Sequence, residues 1–287
     1  MLDIIGFMTV PFLVCVSMIA IFAYLGIHVL EREIIFIDIA LAQMAAIGSA
    51  LAFFIWHAEE TSWIAYLSAF GFTVLAASFY AMARKRITHI PQEAVIGVSY
   101  AIAAAGALFL LATASGGDVH MEEMLTGNVL WADWKDLLIC LGLYGIVGLF
   151  HILFRKRFQN ISRSYSRGGV MGNRTELWDF LFYVSLGLVI TYSVRLGGVL
   201  VVFSFLIIPA TFSAMFSSRW SLRWIIAFSM GLVATVCGLV FSFLLDFSCG
   251  PSVVAFLGLE LILGAILVRP RRALQTQAEA ANRVDTV

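Results

Sequence analysis

The polar side chains that could do chemistry in this chain are few, and they stand in long apolar runs. The stretch EREIIFIDIALAQMAAIGSALAFFIW, from Glu31 to Trp56, carries Asp38 and Gln43 into such a run, and Glu260 stands in the middle of the last one. A carboxylate or amide removed from water needs a partner, a hydrated path or an ion. Asp38 lies about five residues inside its run. There it either lines a path or snorkels to the interface and accepts from Arg32. Gln43 is deeper, where its amide serves either a contact between helices or a permeation path, and Glu260 faces the same alternatives. His120, Glu122 and Glu123 share a polar connection, which could pass on a cation or form a docking rim. His28 and His151 sit near the ends of runs, where positive charge favours a helix C-terminus, and are expected to be structural. Cys15, Cys140, Cys237 and Cys249 are scattered singly and are expected to be free thiols. No HExxH and no GxxxxGK[ST] occurs, so the chain offers neither that zinc chemistry nor ATP hydrolysis of that kind.

The elements that must position these groups follow from composition. Hydrophobic residues make up 61% of the chain, charged residues 13%, and the mean hydropathy is +0.96, too apolar for an ordinary water-soluble domain. Apolar runs of membrane-spanning length occupy Ile4 to Leu30, Ile34 to Trp56, Trp63 to Ala83, Ala94 to Thr113, Leu137 to Phe154, Leu177 to Val194, Val199 to Phe216, Trp224 to Leu245 and Val253 to Val268. They lack regular polar/apolar alternation, so helices are favoured over a barrel. The expected fold is all-α, a polytopic integral membrane helical bundle of eight to nine transmembrane helices. The first run has no signal-peptide pattern and is expected to be a retained span.

Lys and Arg collect in cytoplasmic loops. In the nine-run arrangement 16 of the 18 basic residues fall on one side, leaving Lys135 and Arg195 on the other. The N-terminus is therefore expected outside and the C-terminus in the cytoplasm. A formal net charge of zero hides this asymmetry and argues against a nucleic-acid partner. The connections Ala114 to Asp136 (external) and Arg155 to Glu176 (cytoplasmic, basic, rich in Ser and Gly) are too short to bury a core. Residues 1–268 then form one transmembrane domain and 269–287 a cytoplasmic tail. Pro209 is expected to end the preceding helix by removing a backbone donor. A short amphipathic piece with Arg219 and Arg223 should follow at the cytoplasmic surface. Were Val199 to Phe216 re-entrant, Arg195 would be buried and require an acid such as Asp246.

Five blocks, in this order, cover nearly the whole chain: LGIHVLEREIIFIDIALAQMAAIGSALAF, PQEAVIGVSYAIAAAGALFL, EEMLTGNVLW, RLGGVLVVFSFLIIPATFSAMFSSRW and LLDFSCGPSVVAFLG. In register they resemble the membrane permease of the metal-uptake ABC transporters, the zinc and manganese type of the ABC-3 family. The resemblance implies a homodimer of multi-pass permeases in the inner (plasma) membrane bilayer. It also implies a cytoplasmic ABC ATPase and an extracytoplasmic substrate-binding protein, docked in this chain by His120, Glu122 and Glu123. ATP and Mg belong to the ATPase, and this chain carries no cofactor of its own. The segment of Pro209, Ala210, Thr211, Arg219 and Arg223 falls where the family couples to its ATPase. The family usually reads GDALSHAVLPG along its metal path; here DIALAQMAAIG stands instead, from Asp38 to Gly48. The usual histidine becomes Gln43 and the usual aspartate position Ile39, with Asp38 one residue earlier. One residue turns a helical side chain by about 100°, so Asp38 does not simply inherit that role. An amide oxygen is also a poorer ligand than imidazole for zinc-like ions, so no metal ligand is assigned. The implied cargo is a divalent transition metal (Zn, Mn or Fe). The alternatives are a non-metal or chelated-metal substrate on the same fold, or a membrane scaffold that binds the ATPase without transport.

Overall fold

The computed structural model describes residues 2–58, 62–87, 89–112, 127, 129–166 and 175–284. Among them are nine helices: α1 (Leu2–Glu31), α2 (Ile37–Trp56), α3 (Trp63–Arg86), α4 (Gln92–Ala112), α5 (Trp134–Leu153), α6 (Arg155–Ser166), α7 (Thr175–Phe216), α8 (Trp220–Leu245) and α9 (Cys249–Val284). A single 3₁₀ turn, Val129–Trp131, precedes α5. Seven of the helices are long and apolar enough to cross a membrane. Helix is the form that satisfies every backbone group within one apolar segment, which is why each expected run folds this way.

α7 organises the bundle. α1, α2, α3, α5, α6, α8 and α9 all lie against it. Its 42 residues are two helices joined at Gly198, whose φ of 76° and ψ of 161° belong to a region open essentially to glycine alone. The side-chain contacts show that the chain turns back there. Glu176 and Asp179 pair with Lys85 and Arg32 at the basic end, and Tyr192 Oη donates to Asp136 at the opposite end. Beyond Gly198 the chain descends again, so that Leu206 packs on Gly26 and Ala210 on Ile27 and Trp220. A Cβ on Gly26 would stand 1.9 Å from the Leu206 carbonyl oxygen, so the two backbones touch directly. Val199 to Phe216 measures about 27 Å as helix, enough to cross the hydrocarbon core and not merely to re-enter it. Arg195 and Asp246 are both exposed, and the buried pairing considered for a re-entrant segment does not form.

The turn at Gly198 has a support. Gly127, with φ of 64°, brings the end of the long connection against it, so close that a Cβ would lie 2.1 Å from the Gly197 carbonyl carbon. Val129, two residues on, is buried in the core. α5 starts with a capping box in which Asp133 accepts from the Asp136 amide at 2.8 Å and Asp136 accepts from the Asp133 amide. The backbone donor holds the exposed Asp133 carboxyl below the ordinary carboxylate range.

One expectation about a connection is overturned. Pro209 lies inside α7 and does not end it; the helix runs on to Phe216 because the neighbours packed around it hold its axis. The basic connection after α5 contains the helix α6. Phe158 and Ser162, one turn apart, are buried while Arg155, Lys156, Arg157, Asn160 and Arg163 face outward, which makes α6 a surface helix with one embedded stripe.

Candidate functional site

The basic end of the bundle holds a connected polar core. Arg32, just past the end of α1, is fully buried and its Nη1 lies 2.6 Å from Asp179 Oδ1 of α7, which is equally buried. Its Nε donates to Ser162 Oγ of α6 at 3.0 Å, and its guanidinium carbon stands 4.1 Å from the centre of the Phe182 ring. Tyr165 of α6 donates to the second Asp179 oxygen. Burial, reinforced by that carboxylate, raises the Tyr165 phenol above its ordinary range and keeps it a donor. Arg84 of α3 completes the group: it donates to the Arg32 carbonyl at 2.9 Å and to Tyr183 Oη at 3.1 Å, and lies over the Tyr165 ring. Three helices, α3, α6 and α7, and the α1–α2 turn are thereby tied at one level. Beside it, Arg223 of α8 pairs with Glu31.

His28 and His151 come together against this core. Both are buried completely, with ring centroids 6.2 Å apart, and each has one nitrogen on a serine: Ser162 for His28 at 2.9 Å, Ser185 for His151 at 2.8 Å. Trp220 covers His28 and Phe158 stacks on His151.

The residues expected along a path are placed apart. Asp38 is buried in the first turn of α2, and its Oδ1 has no hydrogen-bond partner. Arg32 does not reach it, being committed to Asp179 and Ser162. Gln43 is half-buried and makes no side-chain hydrogen bond among the described residues. Five residues rotate a helical position by about 140°, so Asp38 and Gln43 face different neighbours. Glu260 is half-buried on α9. α9 packs on α7 and α8, whereas α2 packs on α3, α4 and α7, so one subunit does not assemble the three. Among the described residues no three His, Cys, Asp or Glu side chains converge as a metal centre. His120, Glu122 and Glu123 lie outside the described residues.

The segment expected at the ATPase divides in two. Pro209 and Ala210 are buried, Thr211 is half-buried, and Arg223 is held by Glu31. Ala214, Phe216, Ser218 and Arg219 are exposed at the turn into α8. The surface open to a partner therefore starts more than one helical turn later than the proline suggests.

Asp179, Tyr165 and Ser162, which build the polar core, are residues that sequence reasoning did not single out. A signal existed for one of them, an aspartate two residues inside the apolar run that begins at Leu177. Nothing in the order of residues announced that α6 would turn Ser162 and Tyr165 inward.

Comparison with known proteins places this architecture. The model of the ABC 3 transport family matches residues 5–268. The manganese transport system membrane protein MntC of Halalkalibacterium halodurans is 23% identical over 75% of this chain and 75% of its own length. The chelated iron transport system membrane protein YfeD of Yersinia pestis is 25% identical over 63% of this chain and 61% of its own. Among solved structures, PsaBC from Streptococcus pneumoniae in complex with Fab superposes with a TM-score of 0.77 at 19% identity, covering 96% of this chain and 98% of that one.

Proposed function

The chain belongs to the ABC 3 transport family, and from that premise we propose that it is the permease subunit of an importer for a divalent transition metal, built as a multi-pass protein of the plasma membrane. The carrying observation is the extent of the family match. It takes in all nine apolar runs and stops at the tail, so the whole membrane bundle is accounted for. Relatives named for manganese and for chelated iron support a metal cargo.

In this reading two copies enclose the path. Gln43 and Glu260 each keep a partly open side chain on separate helices of one subunit, as groups facing a second copy would. A neutral amide at Gln43 holds an ion weakly, which suits a conduit that must release what it takes up. The basic end is cytoplasmic, and the turn carrying Phe216 and Arg219 meets a separate ATPase that supplies ATP and Mg; this chain performs no covalent step. A loaded binding protein docks at the opposite end, with His120, Glu122 and Glu123 on its rim.

The experiment is uptake of radioactive manganese and zinc by the permease reconstituted with its ATPase and binding protein. Wild type transports, and Gln43→Leu loses at least nine-tenths of the flux while still binding the ATPase. Normal flux through Gln43→Leu removes that residue from the path. ATPase binding with no flux of any ion or chelate in wild type leaves the scaffold reading. A specific observation favours chelated metal as the second reading: the usual histidine is Gln43, and one relative is named for chelated iron. Flux that appears only with a chelator present decides for it.

A further inference from the structure

A cleft of about 530 Å³ opens between α3 and α7 at the basic end of the bundle, a size typical of small-molecule sites. Its walls are apolar: Ala81 and Met82 of α3 face Leu177 and Phe180 of α7. Ser78, one turn further in, adds only a hydroxyl that donates to the Val74 carbonyl at 2.8 Å. All five residues belong to helices long and apolar enough to span the membrane. Leu75, Phe79 and Met82 form an exposed apolar stripe along α3, and Leu177 is exposed beside it, so the cleft opens sideways, toward lipid.

Two charged side chains, Arg86 and Glu176, stand at its mouth. Glu176 is held by Lys85 at 2.6 Å, so its charge is matched. Arg84 turns inward instead, to the Arg32 carbonyl and the Tyr183 hydroxyl. Arg86, the last residue of α3, is exposed and takes part in no ion pair among the described residues. α3 ends where α7 begins, so the opposite partial charges of the two helix ends offset one another and the side chains set the sign. The mouth thus carries one unmatched positive charge, and an apolar slot lies behind it. Water finds few polar partners in such a slot, and a free phosphate ion would use Arg86 alone and leave the slot empty.

We propose that this cleft binds one anionic glycerophospholipid of the leaflet at the basic end, with an acyl chain between α3 and α7 and the phosphate on the Arg86 guanidinium. The guanidinium fork matches phosphate oxygens, and basic pockets between spanning helices hold headgroups of this kind. A zwitterionic lipid fills the same slot but brings a second positive charge toward Arg86, and so binds less tightly. The occupied cleft joins α3 to the first turn of α7, one helical turn before Asp179. The site goes beyond the transport reading, because it holds lipid whether or not the subunit moves a metal.

The test is native mass spectrometry of the purified permease–ATPase complex in detergent, titrated with phosphatidylglycerol or with phosphatidylcholine of the same chains. Wild type is expected to take up a first phosphatidylglycerol per permease chain at least about fivefold more tightly than phosphatidylcholine, the share of one basic residue at a membrane surface. Arg86→Gln brings the two lipids level. Lys85→Gln leaves the Glu176 carboxylate unmatched at the mouth and lowers the preference as well, whereas Arg155→Gln, on α6 at the same end, leaves it unchanged. Met82→Trp narrows the slot and weakens both lipids together. Equal binding of the two lipids to wild type, a preference retained in Arg86→Gln, or displacement of the bound lipid by inorganic phosphate overturns the proposal. So does cross-linking of Met82→Cys to the same position of a second permease chain, which would show that another copy of this protein covers the cleft. If Arg86→Gln does not fold, the wild-type comparison and Met82→Trp still decide.

Discussion

Arg32 and Asp179 sit 147 positions apart in sequence and meet at 2.6 Å with neither side chain exposed. A charge buried this deeply is stable only while its partner remains. Asp179→Asn is expected to destabilise the folded permease by about 3–5 kcal/mol, because Arg32 keeps its charge and loses its counter-ion. Arg32→Met combined with Asp179→Leu is expected to regain most of that loss. Thermal unfolding in detergent, followed by tryptophan fluorescence, checks both; a single variant as stable as wild type would mean the pair is inert.

The turn in α7 gives a second expectation. Gly198→Ala forces a side chain into a backbone region that costs about 1–3 kcal/mol, and Gly127→Ala drives a methyl group into the Gly197 backbone. Both are expected to lower the yield of monodisperse protein on size-exclusion chromatography. Gly71→Ala, with no atom within 4 Å of its added Cβ, is the matched control and should behave as wild type.

Arg219 and Arg223 are four residues apart and should respond differently to the same change. Arg219→Glu alters an exposed residue at the turn, so co-purification of the ATPase should fall several-fold with the permease intact. Arg223→Glu places two acids together at Glu31 and should reduce the folded permease itself. Equal loss of ATPase with no loss of fold in both variants would show that the Glu31 pair is not structural.

The cap of α5 should follow acid in a defined direction. Because the folded Asp133 carboxyl titrates lower than in the unfolded chain, its contribution is complete above the ordinary carboxylate pKa and disappears as pH falls through the lowered folded value. Hydrogen exchange of the Asp136 amide should therefore stay protected through mild acid and lose protection only below that range. Loss already near the ordinary carboxylate pKa would show that the cap does not favour the ionised form.

Most of the bundle was legible because membrane crossing is written in run length. The boundaries Trp63, Trp56, Leu245 and Phe216 follow directly, since apolar stretches must end where the bilayer does. The Gly197-Gly198 pair between two apolar runs likewise announced a turn. What escaped was anything fixed by partners distant in sequence. Pro209 reads locally as a stop, yet the packing of α7 carries the helix past it. Arg32 reads as an interfacial charge near Asp38, yet its counter-ion arrives from α7. His28 and His151 read as separate helix-end residues, and only the approach of α1 to α5 makes them a pair. The loss of the family's usual histidine at Gln43 was visible in sequence alone.

The reversal at Gly198 also bears on how the protein enters its membrane. With one non-helical residue joining two spans, no connecting segment exists that could rest in the water on the far side while the second half waits its turn. The two halves of α7 are expected to enter the lipid together, as a closed helical hairpin. A pause in synthesis between Leu196 and Phe216 would therefore hold the first half of α7 unfinished, and with it the helix on which the rest of the bundle assembles.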